Sequence, residues 1–509
     1  MRYVSTRGGI PPFSSAEAIK MGLAPDGGLF VPDSPARMTP DELSSFTGMT
    51  YQERAVAILS RYLTDFSLRE IQDCVANAYG GTTFDNGQVA PLVHLSDHLS
   101  VMELWHGPTC AFKDVALQIL PGFMTRAMKK TGENREIIIL VATSGDTGKA
   151  ALEGFANVPG TRIIVFYPEE GVSEVQKRQM ITQTGGNVHV VGVKGNFDDT
   201  QTGVKRLFSD TVMASAMQAK GFTFSSANSI NWGRLVPQIV YYFSSYADLC
   251  GEGRIRCGEP VNFVVPTGNF GNILAAWYAI SMGLPVNRLI CASNGNNVLT
   301  DFIRTGIYDR RRPFRKTVSP SMDILISSNL ERLLYGLSGR DTVRVAAWMA
   351  DLAGVGVYDV GSELHGKIMK LFYGGWTNEE ETRKTLETAW HNHHYVADTH
   401  TAVGIHVYDR YVLETGDLTP AILASTASPF KFADSVSGAL FGKEVQTGCD
   451  DFDLLTLLAE KTEWPIPKGL DHLRQRPVLH GSICTAGEMK TAVSLWLGIP
   501  VPREEKENG

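Results

Sequence analysis

The feature that most constrains the fold is a repeated alternation of short apolar runs with helical patterns. Three runs of mainly β-branched or other apolar residues, at 137–142, 163–167 and 188–193, are each followed by a polar turn and a helical pattern. Runs of this length and composition are typical of strands buried on both faces. Strand and helix in alternation at this spacing predict a parallel α/β sheet.

The alternation returns in the second half of the chain, where strands are predicted at 261–265, 288–292 and 421–425. We therefore expect an α/β fold with two open, mostly parallel sheets flanked by helices and a cleft between them. A chain of 509 residues exceeds one ordinary core, so several domains are expected. The expected ranges are a helical N-terminal module (1–90), a smaller α/β domain (91–235) and a larger α/β domain (236–509) with a helical insertion at about 300–400.

Composition excludes several classes of function. The formal net charge is only −7, so no nucleic-acid or membrane partner is expected. The apolar runs are too short to cross a bilayer, and no apolar signal segment opens the chain. Seven scattered cysteines without a CxxC pair favour reduced thiols and a cytoplasmic location. His391, His393 and His394 match no common ligand spacing, so no metal site is expected.

Polar residues cluster where predicted strands end. Ligands of open α/β sheets bind beyond the carboxyl ends of the strands, so we expect these clusters to share one cleft. The clusters are residues 143–148, 266–272, 293–297 and 425–428.

One of these clusters has the chemistry of a phosphate cradle. In Gly268-Asn269-Phe270-Gly271-Asn272, two glycines permit a tight turn whose N–H groups can face one anion at a helix N-terminus. The loop has neither a P-loop lysine nor a GxGxxG pattern, which disfavours ATP and NAD. On its own, the loop is equally compatible with an ordinary Gly-rich turn.

Lys113 is a candidate for a reactive lysine. Small and apolar residues precede it at 110–112 and follow it at 115–117, which predicts partial burial. Burial lowers the pKa of a lysine, and a lysine that attacks an aldehyde needs this. A solvated surface lysine remains open from this local pattern alone.

Together, these motifs resemble the fold-type II, tryptophan synthase β-like enzymes that use pyridoxal phosphate. The segments that carry this resemblance are 106–109, 112–114, 142–148 and 266–272. Further segments, spread over nearly the whole chain, resemble the threonine synthase family in its bacterial and fungal branch. They are 24–29, 228–234, 319–324, 327–329 with 331–332, and 398–404.

The resemblance implies a role for each matching residue. Lys113 would hold pyridoxal 5'-phosphate as a Schiff base and then act as base and acid at the substrate. The Thr426 hydroxyl would contact the pyridine nitrogen, which it would leave largely unprotonated. The backbone amides of Gly268, Asn269, Phe270, Gly271 and Asn272 would bind the cofactor phosphate. Ser144, Asp146 and Thr147 would face the substrate carboxylate and the cofactor ring, and Ser229, Asn231 and Arg234 are candidates for the substrate phosphate.

The implied reaction converts O-phospho-L-homoserine and water into L-threonine and phosphate, by a monomer or a homodimer. Three alternatives remain open from the sequence. A phospho-lyase would release 2-oxobutyrate from the same substrate. A non-catalytic protein could bind a phosphorylated metabolite on the same fold. A nucleotide-dependent enzyme is disfavoured by the missing nucleotide fingerprints.

Overall fold

The larger of the two main sheets in this computed structural model, which describes residues 1–170 and 172–501, is six-stranded. Neighbouring strands in it are parallel except at one edge, where the last two strands are antiparallel. In spatial order the strands are Phe372–Trp376, Val286–Ser293, Val261–Pro266, Ala421–Ser425, Leu99–Glu103 and Leu92–His94.

The smaller main sheet is five-stranded and parallel throughout. Residues 137–141 in its interior are completely buried, as expected for a strand covered by helices on both faces. The predicted α/β class with two mostly parallel sheets is confirmed. In spatial order the strands are Ser482–Thr485, Val188–Lys194, Thr161–Pro168, Glu136–Ala142 and Phe222–Ser225.

The N-terminal region is mainly helical, with one antiparallel pair formed by Tyr3–Ser5 and Phe30–Pro32. Each of its four α-helices begins at a capping box, in which a Ser or Thr side chain and a Glu three residues later satisfy each other's backbone N–H groups. The helices are Ser15–Met21, Pro40–Ser45, Tyr51–Tyr62 and Leu68–Tyr79.

The remaining helices cover the two sheets or link them. Between residues 113 and 251 the helices are Lys113–Leu117, Leu120–Lys130, Asp146–Phe155, Glu174–Ile181, Phe197–Ser209, Thr211–Ala219, Trp232–Leu235 and Gln238–Gly251. The later helices are Gly271–Met282, Val298–Thr305, Leu330–Leu337, Thr342–Gly354, Gly361–Leu371, Glu379–His393, Thr399–Thr415, Ala433–Phe441, Asp451–Thr462 and Met489–Leu497. No helix within the described ranges is long and apolar enough to cross a membrane.

Each main sheet contains strands from both of the expected ranges, 91–235 and 236–509, which those ranges did not predict. Leu99–Glu103 pairs with Ala421–Ser425 in the larger sheet, and Ser482–Thr485 returns to the edge of the smaller one. Pairings between such distant segments leave no local pattern. The expected insertion at 300–400 is largely helical, but it also contains the edge strand Phe372–Trp376 and a short pair, Ile307–Asp309 with Val357–Asp359. The last range runs past residue 501, outside the described residues.

Candidate active site

Lys113 is held against the carboxyl end of a central strand. The amide of Phe112 donates to the carbonyl oxygen of Thr426 at 2.8 Å, and Ala111 forms a β-bridge with Ala427. These contacts place the segment that precedes the helix Lys113–Leu117 next to the carboxyl end of the strand Ala421–Ser425. Lys113 is only 8% exposed, so the predicted burial is observed.

The surroundings of Lys113 favour its neutral amine. Burial lowers the pKa of Lys113, and the nearby charges of Arg234 and Lys431 lower it further. Asp146 opposes this shift, with Oδ2 lying 3.3 Å from the lysine Nζ. A lysine that must attack an aldehyde needs the unprotonated form, which this cluster of charges favours.

Asp146 opens the helix Asp146–Phe155, directly after Glu136–Ala142, an interior strand of the smaller sheet. Burial alone would raise the pKa of its carboxyl group, but Lys431 and Lys113 hold the pKa well below its ordinary value. Oδ1 accepts from Lys431 Nζ at 2.6 Å and from Gln176 Nε2 at 2.8 Å. Asp146 is therefore an ionised, buried carboxylate that joins two lysines.

Ser144 and Thr147, the other predicted residues of this turn, are half-buried. Their side chains make no hydrogen bond to the rest of the described chain. The turn itself is stabilised by Thr143, whose Oγ1 accepts from the amides of Gly145 and Gly148. Gly145 has φ 137°, a conformation that side chains rarely adopt. The two free hydroxyls are thus available for a ligand on a rigid turn.

The predicted phosphate loop joins the strand Val261–Pro266 to the helix Gly271–Met282. Phe270 takes the left-handed conformation with φ 61°, which turns the chain into the helix. A Cβ at Gly268 would lie 2.6 Å from the carbonyl oxygen of Ser321, so the close approach of these two segments requires glycine. Ser321 also donates through Oγ to Asp146 Oδ2 at 3.3 Å, which links the loop to the Lys113 cluster.

Asn272 provides the test of whether this loop fits an anion. Its Oδ1 accepts from the hydroxyls of Tyr241 and Tyr242, each at 2.6 Å, so the amide orientation is fixed. Its Nδ2 is buried and has no hydrogen-bond partner among the described residues. An unused donor at the N-terminus of a 12-residue helix fits a phosphate group.

Hydroxyl groups lie at the end of the strand Ala421–Ser425. The Thr426 side chain is buried, and its hydroxyl makes no hydrogen bond within the described residues. Ser428 Oγ is likewise buried without a partner. Unused buried hydroxyls at a strand end fit a polar ring atom of a bound cofactor.

Arg234 is a second buried cation in this region. Its Nη1 donates to the carbonyl oxygen of Ala227 at 3.1 Å, but no carboxylate pairs with it in the described part of the chain. Burial lowers the pKa of Arg234 to about 10. An unpaired buried guanidinium is costly, so the arrangement fits a site that an anionic ligand completes.

Ser229 and Asn231 differ in their availability. Ser229 Oγ lies 3.3 Å from Ser328 Oγ, which in turn donates to Asn269 of the phosphate loop. Asn231 instead uses its whole amide inside the protein. Its Nδ2 donates to the carbonyl oxygens of Ile19 and Ser226, and its Oδ1 caps the helix Trp232–Leu235. These contacts explain Asn231 without a ligand, and a direct role for it in binding stays a prediction.

Several residues of the cluster were absent from the sequence prediction. Lys431 is 1% exposed and bonds both to Asp146 and to the carbonyl oxygen of Thr109. His400 Nε2 accepts from the amide of Ser321, while its Nδ1 bonds to Asp398. The available signal for Lys431 was its position between Phe430 and Phe432 just after a strand-end cluster. Within the described residues, no group of His, Cys, Asp and Glu is suited to a metal ion.

A buried lysine and an anion cradle, joined through Ser321 at the ends of parallel strands, define a pyridoxal-phosphate dependent enzyme. Comparison with known proteins supports this class, because the family model described as "Pyridoxal-phosphate dependent enzyme" matches residues 86–358. Models for "Threonine synthase N terminus" and "Threonine synthase, C-terminal" match residues 2–79 and 401–477. The chain belongs to the threonine synthase family, and its cofactor is pyridoxal 5'-phosphate.

Individual relatives agree with this assignment. Threonine synthase of Pseudomonas aeruginosa is 38% identical over 87% of this chain and 91% of its own length. The crystal structure of PLP-bound threonine synthase from Brucella melitensis has a TM-score of 0.86 and 36% identity, covering 99% of this chain and 100% of that chain. Human "Threonine synthase-like 1" is 42% identical over 84% of this chain, but the match spans only 58% of that protein.

Proposed function

We propose that Lys113 carries the cofactor and that the loop from Gly268 to Asn272 binds its phosphate. The burial of Lys113 and the unused Nδ2 of Asn272 support this assignment. Thr426 would supply the hydroxyl for the pyridine nitrogen, since its side chain lies at the strand end that positions Lys113. A neutral hydroxyl there leaves the ring nitrogen largely unprotonated.

We further propose that the protein converts O-phospho-L-homoserine and water into L-threonine and phosphate. The observation that carries this proposal is Arg234, a buried guanidinium without a carboxylate partner whose charge acts on Lys113. A substrate with both an amino-acid head and a phosphate would place the phosphate at Arg234 and Ser229. Ser144 and Thr147 would then face the substrate carboxylate with their free hydroxyls.

Bound pyridoxal phosphate supplies the electron sink that makes protons near the substrate's amino carbon removable. Lys113 would take the Cα proton, and loss of a Cβ proton would let phosphate leave from Cγ. Arg234 would hold the departing phosphate dianion. A proton would then be returned to Cγ, the hydroxyl group of water would add at Cβ, and the remaining proton would be returned to Cα to give threonine. The buried cluster around Lys113 keeps bulk water away until the addition at Cβ.

Product analysis tests this function. Purified protein with its cofactor is incubated with O-phospho-L-homoserine, and threonine, 2-oxobutyrate and phosphate are quantified. The proposal predicts threonine and phosphate in equal amounts. 2-Oxobutyrate as the sole product would favour a phospho-lyase instead, and no turnover together with tight substrate binding would favour a non-catalytic binding protein.

A cytoplasmic location and a monomeric or homodimeric state complete the proposal. All seven cysteines are free thiols, and thiols persist in a reducing compartment. Size-exclusion chromatography with light scattering tests the assembly, and a tetramer or larger species would contradict it.

A further inference from the structure

Two lysines share one carboxylate in the cluster around Lys113. Lys431 Nζ lies 2.6 Å from Asp146 Oδ1, whereas Lys113 Nζ lies 3.3 Å from Oδ2 of the same group. Both ammonium groups and the carboxylate are almost fully buried. One carboxylate within a dry site neutralises one cation well and two cations poorly.

The two lysines differ in how well their protons are satisfied. Lys431 donates to Asp146 and also to the carbonyl oxygen of Thr109 at 2.9 Å. Lys113 has one polar acceptor among the described residues, the distant oxygen of Asp146, and otherwise lies over the ring of Phe112 at 4.7 Å. The charged form of Lys431 is therefore the better solvated of the two, and the proton of Lys113 is the easier one to lose.

We propose that Lys431 is a positioning residue, which occupies Asp146 and so keeps the amine of Lys113 unprotonated and ready for an aldehyde. The inference rests on the proposed role of Lys113 as the cofactor lysine. Packing alone does not explain a lysine at position 431, because a neutral side chain could be buried there at a lower desolvation cost.

Other charges face the cluster from each element packed against it. Arg234, on the helix Trp232–Leu235, adds a second repulsion for a proton on Lys113. Lys431 is also near the carboxyl group of Asp114 and the thiol of Cys110, where burial raises both pKa values and the charge of Lys431 opposes part of that rise. Lys113 therefore faces two cations, Arg234 and Lys431, and shares the carboxylate of Asp146 with Lys431, which is the setting that favours a neutral amine.

The test measures the protonation of Lys113 directly, in the full-length chain freed of cofactor. Brief acetylation with acetic anhydride at a series of pH values, followed by peptide mass spectrometry, gives the midpoint of Lys113 reactivity. Lys384, whose side chain is 71% exposed, serves as the internal reference. In the unaltered protein the midpoint of Lys113 is expected to lie below that of Lys384.

The informative variant is Lys431→Gln, because glutamine removes the charge and keeps an N–H donor for Asp146 or Thr109 on a slightly shorter side chain. We expect the Lys113 midpoint to rise by roughly 1–3 pH units, since Asp146 then pairs with Lys113 alone. Adding Asp146→Asn to this variant should bring the midpoint down again. A midpoint that stays in place or falls in Lys431→Gln would overturn the proposal and leave Lys431 a purely structural role.

This labelling needs neither cofactor nor substrate. A failure of the proposed reaction in the product assay would leave the measured midpoints valid. Conversely, an unchanged midpoint would remove the role of Lys431 and leave the proposed function intact.

Discussion

The amide of Phe112 donates a 2.8 Å hydrogen bond to the carbonyl oxygen of Thr426. This bond joins the residue before Lys113 to the end of a strand that lies far away in the sequence. Because it uses main-chain atoms only, the hydroxyl of Thr426 stays free for a ligand. The main chain that carries Lys113 is therefore held beside the strand end that carries the Thr426 hydroxyl.

Replacing Thr426 by valine removes the hydroxyl and keeps the shape of the side chain and the main-chain bond. We expect kcat/KM to fall by roughly tenfold, the value of one lost hydrogen bond, and the absorption maximum of the bound cofactor to shift. Thr426→Ser retains the hydroxyl and should remain close to the unaltered protein in both measurements. Equal spectra and activity for the valine variant would contradict the assignment.

Asn272→Asp replaces the unused donor of the phosphate loop by a carboxylate oxygen, while the other oxygen can still accept from Tyr241 and Tyr242. An oxygen in place of Nδ2 would repel the cofactor phosphate. We expect the Kd for pyridoxal phosphate to rise roughly ten- to a hundredfold, as for a lost bond to a charged group. Fluorescence titration of the cofactor-free chain measures this Kd.

The matched control for this substitution is Asn378→Asp, since Asn378 caps the exposed start of the helix Glu379–His393. Aspartate caps a helix about as well as asparagine, so the control should bind the cofactor normally. Equal Kd values for the two variants would contradict a phosphate contact at Asn272.

Arg234→Met separates binding from stability. The substitution removes a buried cation that has no carboxylate partner among the described residues. Without ligands, the free energy of unfolding should therefore rise by about 1 kcal/mol or more, and the thermal midpoint should rise with it. The same substitution should lower kcat/KM for phosphohomoserine at least roughly a hundredfold, through loss of the phosphate contact. Differential scanning fluorimetry and steady-state kinetics provide the two readings. A destabilised variant with normal kinetics would show that Arg234 is structural.

His106 predicts a pH dependence of stability. Burial would lower its pKa, but hydrogen bonds to Asp85 and Glu103 raise the pKa to about 9. Because the folded-state pKa exceeds the unfolded value of 6.5, the contribution of His106 is fully present below about pH 6.5 and is lost as the pH rises through about 9. The loss corresponds to about 3 kcal/mol.

Urea unfolding of the unaltered protein and of His106→Gln measures this contribution. The difference in unfolding free energy between the two should shrink by about 3 kcal/mol between about pH 6 and about pH 9.5. The control is His94→Gln, which removes the partly exposed pair of His94 with Glu252. The difference in unfolding free energy between this variant and the unaltered protein should change little over the same pH range. A constant difference for His106→Gln would contradict a protonated His106 in the folded state.

The sequence predicted those strands whose apolar pattern is recognisable within a short stretch of the chain. The apolar runs at 137–142 and 261–265 are typical of buried strands, and the structure places both in the interior of a sheet, with a strand on each side. Edge strands such as Phe372–Trp376 and Ser482–Thr485 are short, contain Gly or polar residues, and gain their partners only when distant segments meet. Their pairing is a property of the assembled fold.

The candidate site divides in the same way. For Gly268 to Asn272 and Lys113, the local sequence indicated a tight turn and a partly buried lysine, and the family resemblance supplied the predicted roles. Lys431 and Gln176 were missed because their significance comes from Asp146, which each reaches from another element. The motif around Asn231 predicted a binding role, but the side-chain amide of Asn231 makes hydrogen bonds to Ile19, Ser226 and Gly233 instead.

The most direct test of the central claim is to locate the cofactor on the chain. The protein loaded with pyridoxal phosphate is reduced with borohydride and digested, and the modified peptide is identified by mass spectrometry. We expect a single pyridoxyl group on Lys113, and none in Lys113→Ala. Modification of Lys431, the other buried lysine at Asp146, with Lys113 unmodified, would contradict it.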